Sequence, residues 1–142
     1  MTAKQYLSQA YQCDQRISSK LQQIDVLRSL SDKVTSRMRG NVVSYTRNVT
    51  TLEDTIIRLM EAEKELNQQI DTLVDLKRDI MENLNRLGNF DYQIVLEKRY
   101  LCFLSWQEIA TDLQFGLRWV HVLHNKALQA LDEVLNQQKE AS

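Results

Sequence analysis

Two histidines and a cysteine in the C-terminal third carry the side chains best suited to metal binding or nucleophilic catalysis. They are Cys102, His121 and His124, whereas the second cysteine, Cys13, lies near the other end of the chain. Zinc sites use four ligands at characteristic spacing, which these residues do not have. The sequence also has no glycine-rich phosphate loop and no nucleophile beside a base. We therefore predict no enzyme, metal, cofactor or small-molecule substrate, and expect Cys102 and His124 to be packed residues.

A second group of side chains lies on one face of a helix predicted to begin near Leu117. At about 100° per residue, Arg118, Val122 and Asn125 point away from the apolar face of this helix. Arginine can bind guanine O6 and N7, asparagine can bind adenine N6 and N7, and valine can contact a thymine methyl. The residues predicted to contact bases in the DNA major groove are Arg118, His121, Val122 and Asn125.

The charge pattern gives mixed evidence for a DNA partner. Lys98, Arg99 and Lys126 are predicted to contact the DNA backbone, where such contacts position the protein without specifying sequence. Between Leu113 and Leu131 there is no Asp or Glu, as a surface facing phosphate requires. The whole chain, however, has 18 Lys and Arg against 19 Asp and Glu. This near-neutral balance is atypical of nucleic-acid proteins and favours a protein partner instead.

A short helix, a tight turn and a second helix are predicted to position these side chains. Ser105 and Glu108 have the spacing of a capping box, which satisfies backbone N–H groups at a helix start. The turn is placed at Gln114–Gly116, since glycine readily adopts the positive φ of a tight turn. A preceding helix capped by Asp91 completes a three-helix core. The pattern is typical of a helix-turn-helix module, whose second helix enters the major groove.

Three segments of this region carry a resemblance to a known family: Glu97–Leu101, Leu104–Ala110 and Arg118–Leu128. They resemble region 4 of bacterial sigma factors. The chain is more closely similar to a phage and mobile-element family of Gram-positive bacteria, largely of unknown function, with a long helical N-terminal half. The resemblance implies a transcriptional regulator of phage or prophage genes that binds promoter DNA and can also contact RNA polymerase.

The sequence predicts an all-α fold, because it has no proline and only three glycines that could interrupt helices. We predict a long antiparallel helical hairpin, coiled-coil-like, followed by the three-helix helix-turn-helix module. Residues 1–88 form the hairpin and dimerisation region, and residues 89–142 form the module. With no signal peptide and no apolar run of membrane length, we expect a cytoplasmic protein that does not contact membranes.

Two long helices are predicted to build the hairpin. The first opens with a capping box at Thr2 and Gln5 and runs to about Arg37. Segment 39–51, rich in Val, Thr and Asn, is predicted to be a loop with room for a short extended piece. The second helix, opened by a capping box at Thr50 and Glu53, carries apolar residues in heptad spacing. The predicted seam comprises Leu21, Ile24, Leu52, Leu59, Leu66, Ile70, Leu73, Ile80 and Leu87.

Charges at seam positions suggest a register between the two helices. The predicted companion series on the second helix is Ile56, Glu63, Ile70, Lys77 and Leu84. Placing Leu21 opposite Leu73 and Ile24 opposite Ile70 brings opposite charges within a turn of each other. These pairs are Asp14 with Lys77 and Arg28 with Glu63.

A second apolar line beside the seam, formed by Met60, Val74 and Met81, also needs a partner. Either the C-terminal module packs on it, or two copies of the chain form a homodimer, which we favour because helix-turn-helix proteins commonly pair. The alternative function is a coiled-coil interaction or scaffold protein whose helix-turn-helix is a relic or a protein-docking surface. Leu117 and Val122, apolar on the supposed DNA side, favour this alternative.

Overall fold

The computed structural model of the chain describes residues 1–40 and 45–141. These residues contain no strand, which confirms the predicted all-α class, and two long N-terminal helices pack together. The helices are α1 (Ala3–Gly40), α2 (Tyr45–Asn85), α3 (Phe90–Leu96), α4 (Trp106–Leu113) and α5 (Leu117–Ala141), with a π-helical stretch at Glu97–Leu101 directly after α3. The chain divides into two compact units. The first combines Met1–Cys13 with Leu73–Ser142, and the second is Asp14–Thr72.

The start of α1 has the predicted capping box. The backbone N–H of Gln5 donates to Thr2 Oγ1 at 3.2 Å, and the N–H of Thr2 donates to Gln5 Oε1 at 2.9 Å. The N–H of Ala3 donates to the Asp132 carboxylate at 2.7 Å, so a residue of α5 satisfies another backbone donor of this helix end. At its other end α1 continues to Gly40, beyond the predicted end.

The predicted loop at 39–51 is wrong for most of its length, because α2 already begins at Tyr45. Thr50 does not cap the helix; its hydroxyl donates to the Thr46 carbonyl at 3.2 Å. Thr51 and Thr55 make the same bond to carbonyls four residues back, at 3.0 and 2.8 Å. Such bonds satisfy threonine hydroxyls within a helix, so a Val- and Thr-rich composition does not exclude one. Residues 41–44 of the predicted loop lie outside the described residues.

The heptad series on α2 that begins at Leu52 faces inward. Ile80 is fully buried, and the leucines of this series are half-buried, namely Leu52, Leu59, Leu66, Leu73 and Leu87. In the first half of α2 the companion series lies one residue earlier than predicted, since Thr55 and Ala62 are buried, whereas Leu84 of the predicted series is fully buried. The inward-facing residues in this part of α2 therefore alternate in steps of three and four, with the small side chains of Thr55 and Ala62 between the leucines.

Consequently, several apolar residues assigned to the seam lie outside it. Ile70 is 40% exposed, and Ile56 of the predicted companion series is exposed as well. On α1, Ile24 is 2% exposed, whereas Leu21 is 46% exposed. These residues were assigned to the seam because they are apolar. The angular position of a residue around the helix, however, decides whether its side chain faces the neighbouring helix.

Within the unit Asp14–Thr72, two ion pairs join α1 to α2. Lys20 contacts Glu65, and the Arg28 guanidinium lies 3.1 Å from the Glu63 carboxylate. The residue number falls on α2 as it rises on α1, so the two segments run antiparallel. The predicted Arg28–Glu63 pair is present. The predicted Asp14–Lys77 pair would join the two units and stays a prediction.

The other unit has a core built from the ends of α1 and α2 and from the shorter helices. One cluster of buried side chains includes Leu7, Ile80, Leu84, Leu96 and Leu131. A second cluster comprises Val95, Ile109, Ala110, Val120 and Leu123. Beside the first cluster, the buried Asn83 amide donates to the Tyr6 hydroxyl at 2.6 Å, and this hydroxyl donates to Asp79. Burial, reinforced by the Asp79 carboxylate, raises the pKa of Tyr6.

The segment between α2 and α4 differs from the prediction in two places. Asn89, not Asp91, caps α3, and its side-chain oxygen accepts the N–H of Tyr92 at 3.3 Å. The π-helical stretch then closes with the N–H of Cys102 donating to the Glu97 carbonyl at 3.0 Å. Cys102 is exposed, so the prediction of a packed core cysteine is wrong.

Candidate nucleic-acid interface

Helices α4 and α5 are joined by three residues. The Ser105 hydroxyl accepts the N–H of Glu108 at 3.2 Å and so caps α4 as predicted. The left-handed residue of the turn is Gln114, with φ 58°, and not Gly116. An amide side chain is uncommon at positive φ but tolerated there. The Gly116 carbonyl accepts the N–H of Val120 at 3.1 Å, so this residue stands at the start of α5.

The two faces of α5 differ sharply in burial. The inner face consists of Val120, Leu123, His124, Ala127 and Leu131, all buried. Of the four residues predicted to contact bases, Arg118, His121 and Asn125 are exposed and Val122 is half-buried. The structure therefore places the four within two turns of one helix, with three side chains open to solvent. Lys126 is exposed on the same helix, with its ammonium 5.8 Å from the centre of the Trp119 ring.

Trp106, at the start of α4, contacts three residues of the module. Its ring centre lies 4.9 Å from that of His121 and 4.5 Å from that of His124. On the other side, the Arg99 guanidinium carbon lies 4.5 Å from the Trp106 ring, within cation–π distance. Trp106 therefore packs against α5, with its ring close to those of both His121 and His124.

The two predicted backbone contacts that precede α4 already have partners within the molecule. The Lys98 ammonium lies 3.4 Å from the Asp112 carboxylate. Arg99 donates from Nη1 to the Leu104 carbonyl at 3.0 Å, in addition to its contact with Trp106. Both side chains are half-buried. Of the three residues predicted to contact phosphate, Lys126 alone is exposed.

His124 and Tyr100 form a buried hydrogen-bonded pair beneath this surface. The Tyr100 hydroxyl and His124 Nε2 are 2.7 Å apart. Burial, with added repulsion from Lys4, His121 and Arg99, lowers the pKa of His124 to about 4. Burial also raises the pKa of Tyr100, so both partners are neutral at pH 7. The expectation that His124 is a packed histidine is confirmed.

The depressed pKa of His124 predicts that the protein loses stability as the pH falls. Because the unfolded histidine titrates near 6.5 and the folded one near 4, the unfolded state binds more protons between these values. We expect the free energy of unfolding to fall by about 1–2 kcal/mol from pH 7 to pH 5 through this group. Urea titrations at both pH values measure the change. His124→Gln should remove most of it and His121→Gln should keep it; equal pH dependence in both variants would contradict the assignment.

Sequence reasoning misplaced one of the two large apolar residues near the start of α5. Trp119 lies at the border of the apolar face of α5, a position that predicts core packing, but it is 45% exposed. Leu117, predicted on the outer side, is exposed to a similar extent. Trp119 precedes the fully buried Val120, and one step of about 100° is enough to carry its ring out of the core. The surface beside Arg118 is therefore partly apolar.

The described residues offer little other chemistry. Within 1–40 and 45–141, no three His, Cys, Asp or Glu side chains are grouped so that they could hold a metal ion. Over the same residues, no helix combines the length and the apolar character needed to cross a membrane. Comparisons of the chain with protein-family models, curated proteins and solved structures found no match.

Proposed function

We propose that the chain is a sequence-specific DNA-binding transcriptional regulator of phage or prophage genes. In this proposal α4, the turn and α5 act as a helix-turn-helix module of the sigma region 4 type. The observation that carries the proposal is the outward face of α5, where Arg118, His121 and Asn125 are exposed together. From Gln114 to Ala130 the sequence has no carboxylate that would repel phosphate.

The mechanism follows from the chemistry of these side chains. With the first turns of α5 in the major groove, Arg118 would donate to guanine and Asn125 would pair with adenine. Val122, half-buried between them, would contact a thymine methyl. Trp106 supports this face by holding the His121 ring from the protein side. The resemblance to sigma region 4 further supports contact with RNA polymerase at a promoter.

The direct test is selection of bound fragments from fragmented phage or host DNA by the full chain. We expect the bound fragments to be enriched in a shared short motif. Each contact with a base makes binding to the correct base more favourable than binding to a wrong one by about 1–3 kcal/mol. Enrichment of no motif, with retention of all fragments in proportion to length, would leave only non-specific attraction and contradict the proposal.

Replacing Lys126 by alanine should weaken binding to all DNA sequences alike. Its ammonium is exposed and would contact phosphate, so its loss should reduce the slope of log K against log salt by about one. Anisotropy titrations of a specific and a scrambled duplex at two salt concentrations give this slope. Lys64→Ala, which removes an exposed lysine from α2, is the matched control and should leave the slope unchanged.

We further propose that the chain forms a homodimer through α2. Met60, predicted to need a partner, is 64% exposed, and the adjacent Ile56 and Ile57 are exposed too. A large apolar side chain at such exposure is typical of an interaction surface when it has apolar neighbours. A twofold dimer would present two α5 helices to half-sites about 34 Å apart or a multiple of this distance.

Sedimentation equilibrium should therefore give a mass of about twice 16.7 kDa at concentrations on the order of tens of micromolar. Met60→Glu places a charge on the apolar surface and should shift the protein to the monomer. Arg58→Glu introduces the same residue at a neighbouring exposed position and should remain dimeric. A monomeric wild-type chain would remove the dimer and the paired half-sites together.

The second candidate function is a protein-interaction module that does not bind DNA. It is favoured by Leu117 and Trp119, both exposed at the start of α5, because apolar surface suits a protein partner better than phosphate. The near-neutral charge of the whole chain also supports it. Fragment selection without an enriched motif, together with an intact dimer, would favour this function.

A further inference from the structure

A cavity of about 450 Å³ lies beneath the module, between the first turns of α1 and the segment that joins α3 to α4. Its volume is within the range of small-molecule sites in proteins. Four aromatic side chains line it, namely Tyr11, Tyr100, Phe103 and Trp106. Tyr11 and Phe103 pack edge to face with ring centres 5.7 Å apart and form one wall. This aromatic lining suits a ligand with a flat apolar ring system.

The charged groups around the cavity are predominantly positive. Lys4 and Arg99 line it, and neither forms an ion pair within the described part of the chain. Glu108 is the single carboxylate among the lining residues that the structure describes. His124, which also lines the cavity, is neutral at pH 7. The lining therefore carries a net positive charge beside aromatic surface.

The backbone at this cavity departs from regular geometry in two places. Arg99 and Tyr100 belong to the π-helical stretch, a conformation that is rare and frequent at functional sites. Phe103 has a φ of 59°, which is unfavourable for a bulky side chain. Arg99, Tyr100 and Phe103, the residues at these two departures, all line the cavity.

From these observations we infer that the cavity binds a small organic carboxylate with a flat aromatic body, as a ligand rather than as a substrate. The carboxylate lies between Lys4 and Arg99, and the ring packs among Phe103, Tyr100 and Trp106. Glu108 accepts a hydrogen bond from any donor that the ligand carries. This inference does not depend on DNA binding, because none of the residues proposed to contact bases lines the cavity.

The chain contains its own probe for this site. It has two tryptophans, of which Trp106 lines the cavity and Trp119 is exposed on α5. In a ¹⁵N-labelled sample each indole N–H gives one resonance, and Trp119→Phe assigns the two. Titration uses 2-naphthoate, with the neutral 2-naphthamide as an isosteric control. The Trp106 resonance should shift to saturation with 2-naphthoate, and the Trp119 resonance should stay in place.

The acid should bind at least about fivefold more tightly than the amide, as expected for one partly exposed ion pair. Because Arg99 remains, Lys4→Gln should weaken this preference without abolishing it, and since Lys4 is exposed the variant should fold normally. Lys64→Gln, an exposed lysine far along α2, should keep the preference. Equal binding of acid and amide would overturn the inference. So would an undiminished preference in Lys4→Gln, a shift of Trp119 in place of Trp106, or no saturable shift with either compound.

Discussion

Replacing Ile24 by alanine should lower the free energy of unfolding of the hairpin by about 2–5 kcal/mol, the usual cost of truncating a buried isoleucine. Ile24 is 2% exposed on the inner face of α1, so the substitution removes apolar contacts and leaves a cavity against α2. Leu21→Ala removes a side chain of the same size one turn earlier. Because Leu21 is 46% exposed, its replacement should cost less than about 1 kcal/mol.

Urea unfolding followed by circular dichroism measures both variants against the wild-type chain. The comparison depends on the difference between the two, since isomeric side chains on the same helix share most other effects. Equal destabilisation by Ile24→Ala and Leu21→Ala would mean that α1 turns a different face to α2. A larger effect at Leu21 would restore the register in which this leucine faces the second helix.

The same pair of residues shows what the hairpin sequence can and cannot predict. Helix type and the inward series from Leu52 follow from heptad spacing, which is a property of one chain segment. The companion series does not follow, because either of two lines beside the leucines could be buried. Isoleucines at 56 and 70 made one line more apolar, but the buried line holds Thr55 and Ala62. Small side chains let two helices approach closely, and this advantage depends on the partner helix.

Replacing Arg118 or Asn125 by alanine should weaken binding to the selected DNA site by about 1–3 kcal/mol each, or roughly five- to 150-fold. Both side chains are exposed on the outer face of α5, where they would bond to base edges. Each variant should also lose preference at one base position. Neither side chain belongs to the core, so helical content should not change.

Anisotropy titrations on the selected site and on duplexes with single base changes measure affinity and preference together. Asn136→Ala, an exposed asparagine of α5 beyond the proposed contact surface, should bind as the wild type does. If Arg118→Ala and Asn125→Ala bind like this control, α5 does not read bases. The protein-interaction function would then be the better supported of the two.

The candidate interface was predictable from sequence in its outline but not in its supporting contacts. The cap at Ser105 and the buried face of α5 follow from local rules on capping and periodicity. The contacts of Arg99 with Trp106 and the Leu104 carbonyl do not, because they depend on how the π-helical stretch folds back toward α4. No residue pattern in Glu97–Leu101 distinguishes a π-helix from an α-helix.

The π-helical stretch sets a limit on how the length of this segment can change in evolution. Its bond from the Cys102 N–H to the Glu97 carbonyl encloses one residue more than an α-helical turn holds. A deletion of one codon here would let the segment close as an α-helix and rotate the following residues by about 100°. The cap spans only Ser105 to Glu108, so α4 would turn together with its cap and change the side chains that it presents to α5. A point substitution at Lys98 does not change the number of residues in this turn. An insertion or deletion between Glu97 and Leu101 does, and it would change the path of the chain into α4 and α5.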